Sequence, residues 1–154
     1  MSDRYRQASR LYLDSNALIY FVERADESQA KIADAIAWAV TAGVPIVVSE
    51  VGVAECLHCA YKLESAALEA RYLEIFDEIA LFEIAPIDGK RLKDAARLGA
   101  KKGLKLVDAA HFLAVVENQC DVFITNDARC RSSHGVEGIQ VATLPLGDAA
   151  NQSP

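Results

Sequence analysis

Five short apolar runs punctuate the chain, and most are rich in β-branched residues or bounded by turn residues. They lie at residues 11–13, 45–48, 81–85, 122–125 and 139–144. Their length and composition are typical of buried strands. The first run, Leu11 to Leu13, ends on Asp14, and Ser15 and Asn16 then lead into a second apolar stretch. This order predicts a strand, a turn with Ser15 and Asn16 as capping residues, and a helix.

Longer segments between these runs carry apolar residues every three to four positions, which is the spacing of amphipathic helices. Helices are predicted at residues 15–20, 31–40, 51–63, 66–79, 89–102 and 109–116. The expected inward-facing residues are Ala54, Leu57, Ala60 and Tyr61 in the third helix, and Leu92, Ala95, Ala96 and Leu98 in the fifth. Because strands and helices alternate, the pattern predicts an α/β fold with a mostly parallel sheet of about five strands and helices on both faces.

Composition and length are those of one globular domain. The chain has 154 residues, of which 52% are hydrophobic and 25% charged, and no apolar run is long enough to cross a bilayer. We expect residues 1–154 to form a single domain, with residues 1–9 and 147–154 as flexible tails. The polar start, MSDRYRQASR, predicts a cytoplasmic protein without a secretory signal.

The cysteine pattern favours reduced thiols over disulfides, because no export signal is present. Cys56 and Cys59, with His58 between them and Cys130 and His134 further on, allow a zinc site as an alternative. That spacing is loose, and Cys56 and Cys59 fall inside a predicted helix, where a free Cys behaves as a small apolar residue.

Four acids are predicted to meet at one edge of the sheet. Asp14 and Asp127 follow strands, while Glu55 and Asp108 lie at helix starts or turns nearby. A single Asp at such a position is usually a helix cap or a solvated residue. Several carboxylates together repel one another unless cations neutralise them, and hard oxygen ligands select Mg²⁺ or Mn²⁺. This chemistry suits phosphodiester hydrolysis by an activated water.

Four segments that contain these acids resemble the ordered motifs of the PIN domain family. LYLDSNALIY resembles the family's first motif, SEVGVAECL the second, LVDAAHFLAV the third and DVFITNDARC the last. Each motif alone is weakly specific, but the four in this order span nearly the whole chain. The size also matches compact PIN proteins that act as VapC-like toxins of bacterial toxin–antitoxin pairs.

The resemblance implies a ribonuclease with a three-layer α/β/α fold that binds Mg²⁺ or Mn²⁺. Asp14, Asp108 and Asp127 would be the metal ligands, Glu55 would orient or deprotonate the water, and Ser15 and Thr125 would support the site by hydrogen bonds. Proteins of this kind are commonly homodimers, held inactive by a small antitoxin.

Positive side chains that contact RNA phosphates are expected in two places. Arg129 and Arg131 directly follow the last motif, and a second basic group comprises Arg91, Lys93, Arg97, Lys101, Lys102 and Lys105. The net charge of −6 argues against a protein that coats duplex DNA by charge alone. His58 and His111 are interpreted as surface or packed side chains rather than catalytic groups, and Asp121 as a turn residue.

Three other functions compete with the nuclease. A haloacid-dehalogenase-like phosphatase also begins with a strand ending in Asp, but needs a second Asp where this chain has Asn16. A phosphate-transfer receiver domain needs an acidic pair ahead of its central Asp. A non-catalytic PIN-like interaction module remains open, although such a protein would be expected to have lost at least one of the four acids.

Overall fold

A five-stranded, wholly parallel sheet forms the centre of the molecule. The computed structural model describes residues 4–125 and the backbone of residues 140–143. The strands are β1 (Leu11–Leu13), β2 (Ile46–Ser49), β3 (Glu83–Ala85), β4 (Val122–Thr125) and β5 (Gln140–Thr143). They lie in the order β3-β2-β1-β4-β5. The central strand β1 pairs Tyr12 with Val47 on one side and with Phe123 on the other.

In the part of the chain that the structure describes, six α-helices connect and cover these strands. They are α1 (Ser15–Glu23), α2 (Glu27–Ala42), α3 (Glu50–Lys62), α4 (Ala66–Leu73), α5 (Gly89–Lys102) and α6 (Leu106–Glu117). A 3-10 turn at Arg4–Gln7 precedes β1. The segment predicted as one helix over residues 66–79 instead changes after α4 into a π-helical turn at Glu74–Glu78.

Two helices begin at their predicted caps, Ser49 and Asp88, whereas α1 is capped by Asp14, and the expected capping residues Ser15 and Asn16 lie inside that helix. The side chains of Asp14, Ser49 and Asp88 accept hydrogen bonds from the backbone N–H groups of α1, α3 and α5. Gly43 and Gly103 follow α2 and α5 in the left-handed conformation, with φ of 70° and 69°, which glycine adopts without a Cβ clash. The local sequence therefore defines where these helices begin and end.

Alternating residues of the strands enter two separate cores, one on each face of the sheet. Leu11 and Leu13 of β1 pack with Leu18, Ile32 and other residues of the helices α1 to α4. Tyr12, between them, packs on the opposite face with Phe112 of α6 and neighbouring side chains. The molecule is thus a three-layer α/β/α structure, which confirms the predicted fold class.

Two predicted inner faces are only partly right. Ala60 in α3 and Ala95 in α5 are buried as predicted, and Leu57 and Leu98 are partly buried against the core, but the other predicted residues are exposed. In α3 the buried residues are Gly52, Cys56 and Ala60, while Tyr61 is 55% exposed and Ala54 is also exposed. In α5 they are Ala95 and Gly99, while Leu92 is 45% exposed and Ala96 is also exposed. Glycine carries little weight in a hydrophobic pattern, yet Gly52 and Gly99 lie where these helices approach their neighbours closely.

None of the helices within the described residues is long and apolar enough to cross a membrane.

Candidate active site

Asp14 lies where β1 ends and α1 begins, and it serves both as a helix cap and in a tertiary contact. Its Oδ1 accepts a hydrogen bond from the Ala17 N–H at 2.9 Å. Its Oδ2 accepts a hydrogen bond from the Thr125 hydroxyl at the end of β4. Both side chains are buried, with Asp14 5% exposed. The capping role expected of a lone Asp is real, but the bond from β4 also fixes the carboxylate at the sheet edge.

A cleft of about 380 Å³ opens beside Asp14, between the end of β1 and the helices α3 and α6. Three of the predicted acids, Asp14, Glu55 and Asp108, line this cleft. The remaining lining residues are Ser15, Asn16, Lys105, Leu106, Val107, His111, Phe112 and Phe123. The parallel topology thus gathers acids that are far apart in sequence, as the ligand crevice of an α/β sheet does.

A chain of hydrogen bonds runs from the cleft into the core. His111 Nε2 lies 2.7 Å from Glu55 Oε1, and His111 Nδ1 lies 2.6 Å from the Tyr12 hydroxyl. Burial raises the pKa of Tyr12 well above its usual range, and the nearby Asp14 carboxylate acts in the same direction. His111 is only 4% exposed, so the imidazole is held between a buried phenol and a cleft carboxylate.

The donor set suits a hard divalent cation, although the described residues do not form a complete site. Carboxylate oxygens from Asp14, Glu55 and Asp108 are the ligands that Mg²⁺ and Mn²⁺ prefer. Within residues 4–125, however, no three His, Cys, Asp or Glu side chains are grouped closely enough to hold an ion by themselves. Asp127, the predicted fourth acid, lies outside the described residues, two positions after Thr125.

The predicted basic group divides into residues near the cleft and residues away from it. Lys105 lines the cleft. Arg91 is held by ion pairs to Asp88 at 3.0 Å and to Glu117 at 2.6 Å. Lys93, Arg97, Lys101 and Lys102 are exposed along α5. Arg129 and Arg131 lie outside the described residues.

The cysteines in the described part of the chain do not assemble a zinc site. Cys56 is fully buried in the core, Cys59 is partly buried, and both are free thiols. Burial raises the pKa of both thiols, which disfavours the thiolate that a metal requires. His58 is exposed, and Cys130 and His134 lie outside the described residues.

The other isolated polar residues behave largely as predicted. The Asp121 carboxylate accepts hydrogen bonds from the backbone N–H groups of Ser9 and Arg10 at 2.9 to 3.1 Å. It therefore holds the segment before β1 and does not belong to the cleft. His111 is packed, as interpreted from the sequence, but its contact with Glu55 ties it to the candidate site.

Tyr12, which contacts the cleft residue His111 from the core, is the residue that the sequence analysis did not connect with the site. It lies in a run of residues predicted to be a buried strand, and a buried Tyr hydroxyl needs a hydrogen-bond partner. His111, three residues after Asp108 in a predicted helix, is likewise a polar side chain on an apolar helix. Each signal indicates a buried polar group that needs a partner, but neither identifies the other residue.

Comparisons with known proteins agree on the fold. A family model described as PIN domain matches residues 11–133. Compared by sequence with curated proteins, the chain has no significant match. A solved structure of VapBC2 from Rickettsia felis, bound to a DNA fragment from its promoter, is similar with a TM-score of 0.66 and 16% identity, covering 86% of this chain and 97% of that chain.

Two further solved structures are similar to the same extent. A DNA-bound VapBC from Salmonella typhimurium has a TM-score of 0.60 and 18% identity, and the match covers 88% of this chain and 98% of that chain. A toxin–antitoxin complex from Klebsiella pneumoniae has a TM-score of 0.59 and 21% identity, with 86% and 96% covered. These likenesses concern the fold, and the family match extends over most of the chain. The chain belongs to the PIN domain family.

Proposed function

We propose that this protein is a metal-dependent ribonuclease that hydrolyses phosphodiester bonds of RNA. The observation that carries the proposal is that Asp14, Glu55 and Asp108 line one cleft at the edge of a parallel sheet in a PIN domain. Carboxylates gathered in this way are costly unless a cation balances them. The match to the PIN family, and not to a phosphatase, favours this function over the haloacid-dehalogenase alternative.

Each acid has a proposed role. Asp14 and Asp108 are the principal ligands of Mg²⁺ or Mn²⁺, and Asp127 is a direct or water-mediated ligand. Glu55 orients the attacking water or accepts its proton. When bound, the ion supplies a water of lowered pKa and positive charge beside the phosphate. Thr125 supports the site because its hydroxyl donates a hydrogen bond to Asp14, which orients that carboxylate.

The surroundings of the acids suit an RNA strand. Lys105 places a cation on the cleft wall, where it can offset the charge of a phosphate next to the cleaved bond. Ser15 lines the same wall and offers a hydroxyl to the site. Arg129 and Arg131 are proposed to add phosphate contacts after the last strand motif.

The activity is tested by incubating the purified protein with transfer RNA or single-stranded RNA. We expect cleavage with Mg²⁺ or Mn²⁺, no cleavage with EDTA, and cleavage more than about 100-fold slower in Asp14→Asn and Asp108→Asn at the same metal concentration. Asp34→Asn is a matched control, because Asp34 is an exposed carboxylate on α2, and it should cleave as the wild type does. Metal-independent cleavage, or full activity in either cleft variant, would overturn the mechanism.

The biological role that we propose is that of a cytoplasmic toxin, active as a homodimer and neutralised by a small antitoxin. Support comes from the similarity of this fold to chains of complexes described as VapBC or as toxin–antitoxin complexes. Induced expression in bacteria should arrest growth, and Asp14→Asn should relieve the arrest. Normal growth in the presence of soluble, active wild-type protein would contradict the toxin role.

Homodimer formation is tested separately by measuring the mass of the purified protein in solution. We expect twice the mass of one chain, and a monomer at all concentrations would refute this part of the proposal. Co-purification with the product of an adjacent small gene would support the antitoxin partner.

A further inference from the structure

We propose that His111 is a positioning residue for Glu55, and that the buried Tyr12 hydroxyl sets its orientation and tautomer. The inference rests on the proposed ribonuclease activity, in which Glu55 directs the attacking water. It assigns a role to two residues that lie within the first and third motif segments but are not among the four acids.

The first step of the argument is the geometry of the Tyr12–His111 contact. Tyr12 lies on the central strand β1 and is fully buried. Its hydroxyl lies 2.6 Å from His111 Nδ1, and the two rings pack edge to face at a centroid distance of 5.8 Å. The phenol therefore fixes both the position and the rotation of the imidazole from below the cleft.

The second step is the direction of the protons. A carboxylate oxygen only accepts hydrogen bonds, so the 2.7 Å contact with Glu55 Oε1 places the imidazole hydrogen on His111 Nε2. In the neutral imidazole Nδ1 is then an acceptor, and the Tyr12 hydroxyl, 2.6 Å away, donates to it. The Tyr12 hydroxyl also shares a hydrogen bond with the Ser49 side chain.

The third step is the effect on Glu55. The Nε2–H of His111 donates to Glu55 Oε1 at 2.7 Å, and the Glu55 side chain is 37% exposed while that of His111 is 5% exposed. A partly exposed Glu side chain on a helix samples several rotamers, and restricting it to the one rotamer that faces the attacking water costs conformational entropy. Because His111 engages Oε1, Oε2 is the oxygen that can meet a water in the cleft.

The helix carrying Glu55 is anchored to the same set of contacts. Ser49 caps α3 by accepting a hydrogen bond from the Val51 N–H at 2.9 Å. Gly52, one turn before Glu55, lies against the imidazole, where an added Cβ would be 3.5 Å from His111 Cε1. Ser49, Tyr12 and His111 thus connect the sheet, α3 and α6 beneath one carboxylate.

Kinetics of RNA cleavage with saturating Mn²⁺ test the role of the relay. Tyr12→Phe removes only the hydroxyl and should lower kcat about 10- to 100-fold, the range typical when a partner that orients an active-site ligand is lost. KM for RNA should remain within about twofold, because neither Tyr12 nor His111 is proposed to bind the strand. His111→Leu should be more impaired than His111→Gln, whose amide N–H can still reach Glu55.

Long-range ¹H–¹⁵N correlation spectra give a readout that does not depend on activity. In wild-type protein we expect His111 to carry its proton on Nε2 and to have an unprotonated Nδ1, and in Tyr12→Phe we expect this preference to weaken. A protonated Nδ1 in the wild type, or unchanged kcat in both Tyr12→Phe and folded His111→Leu, would overturn the proposal. Absence of metal-dependent cleavage by the wild type would instead refute the proposed function, while the spectra would still test the tautomer.

Discussion

Replacing Asp14 by Asn separates the structural role of this side chain from its proposed catalytic role. Asn caps helices as well as Asp does, so the bond from the Ala17 N–H should survive. The Thr125 hydroxyl can rotate to accept from the new amide instead of donating to a carboxylate. The substitution also removes one negative charge from a cleft that Glu55 and Asp108 share.

The expected stability follows from these contacts. Asp14→Asn should unfold within about 0.5 kcal/mol of the wild type in metal-free buffer, or be more stable, because the cap persists and repulsion falls. Asp14→Ala loses the cap, at about 1 kcal/mol, and loses the hydrogen bond from the Thr125 hydroxyl, at about 0.5 to 1.5 kcal/mol. Each kcal/mol corresponds to about 2 to 4 °C in the melting temperature of a chain of this size.

Urea unfolding in EDTA and RNA cleavage with Mn²⁺ measure the two effects on the same samples. Asp14→Asn should keep its stability and lose more than about 100-fold in cleavage rate, because even partners of metal ligands cost 10- to 100-fold when removed. If Asp14→Asn unfolds as easily as Asp14→Ala, the capping argument is wrong. If it cleaves RNA at the wild-type rate, Asp14 is not a metal ligand.

Three further predictions concern helix packing, thiol ionisation and RNA contact. Gly52→Ala should raise the free energy of unfolding in urea by up to about 1 kcal/mol, because the new methyl group makes ordinary contacts. Gly99→Ala should lower it by about 1 to 3 kcal/mol, because that Cβ would lie 2.9 Å from a backbone carbonyl oxygen. The opposite order of stabilities would contradict the packing described for these two helices. Burial raises the pKa of Cys120 from 9.0 to about 11, so the folded state holds a proton that the unfolded state loses, and stability should fall as pH rises through this window. Cys120→Ala should show a smaller fall between pH 9 and 11, and an identical fall would count against a buried thiol. Lys105→Ala should raise KM for RNA several-fold and should reduce the slope of log KM against log salt concentration by about one. Lys93→Ala, on the outer part of α5, should change neither quantity. Equal effects of the two substitutions would exclude a specific contact by Lys105.

Local sequence signals were sufficient for much of the fold. The strand at residues 122–125 has its predicted bounds, and Asp14, Ser49 and Asp88 cap the helices that follow them. These features depend on neighbouring residues, whose conformational preferences act over a few positions. The gathering of Asp14, Glu55 and Asp108 was also predictable, because parallel strands place their carboxyl ends along one edge.

Features that depend on contacts between distant segments were harder to predict. The inner face of α3 was predicted only in part. Ala54 and Tyr61 satisfy the helical spacing but are exposed, whereas Leu18 of α1 and His111 of α6 lie against Gly52. The hydrogen bond between Tyr12 and His111 joins residues 99 positions apart. This bond forms only because α6 packs on the face of the sheet to which the Tyr12 side chain points. No local sequence pattern predicts that packing.

The dependence of RNA cleavage on Mn²⁺ concentration tests the central claim most directly. Wild-type protein should be inactive in EDTA and should reach a saturating rate as Mn²⁺ is added. Asp108→Asn should require more than about 100-fold more Mn²⁺ for half-maximal rate, because losing a ligand should cost more than the 10- to 100-fold typical of losing a ligand's partner. A wild-type rate that does not respond to Mn²⁺ or EDTA, or an unchanged half-maximal concentration in Asp108→Asn, would contradict the account.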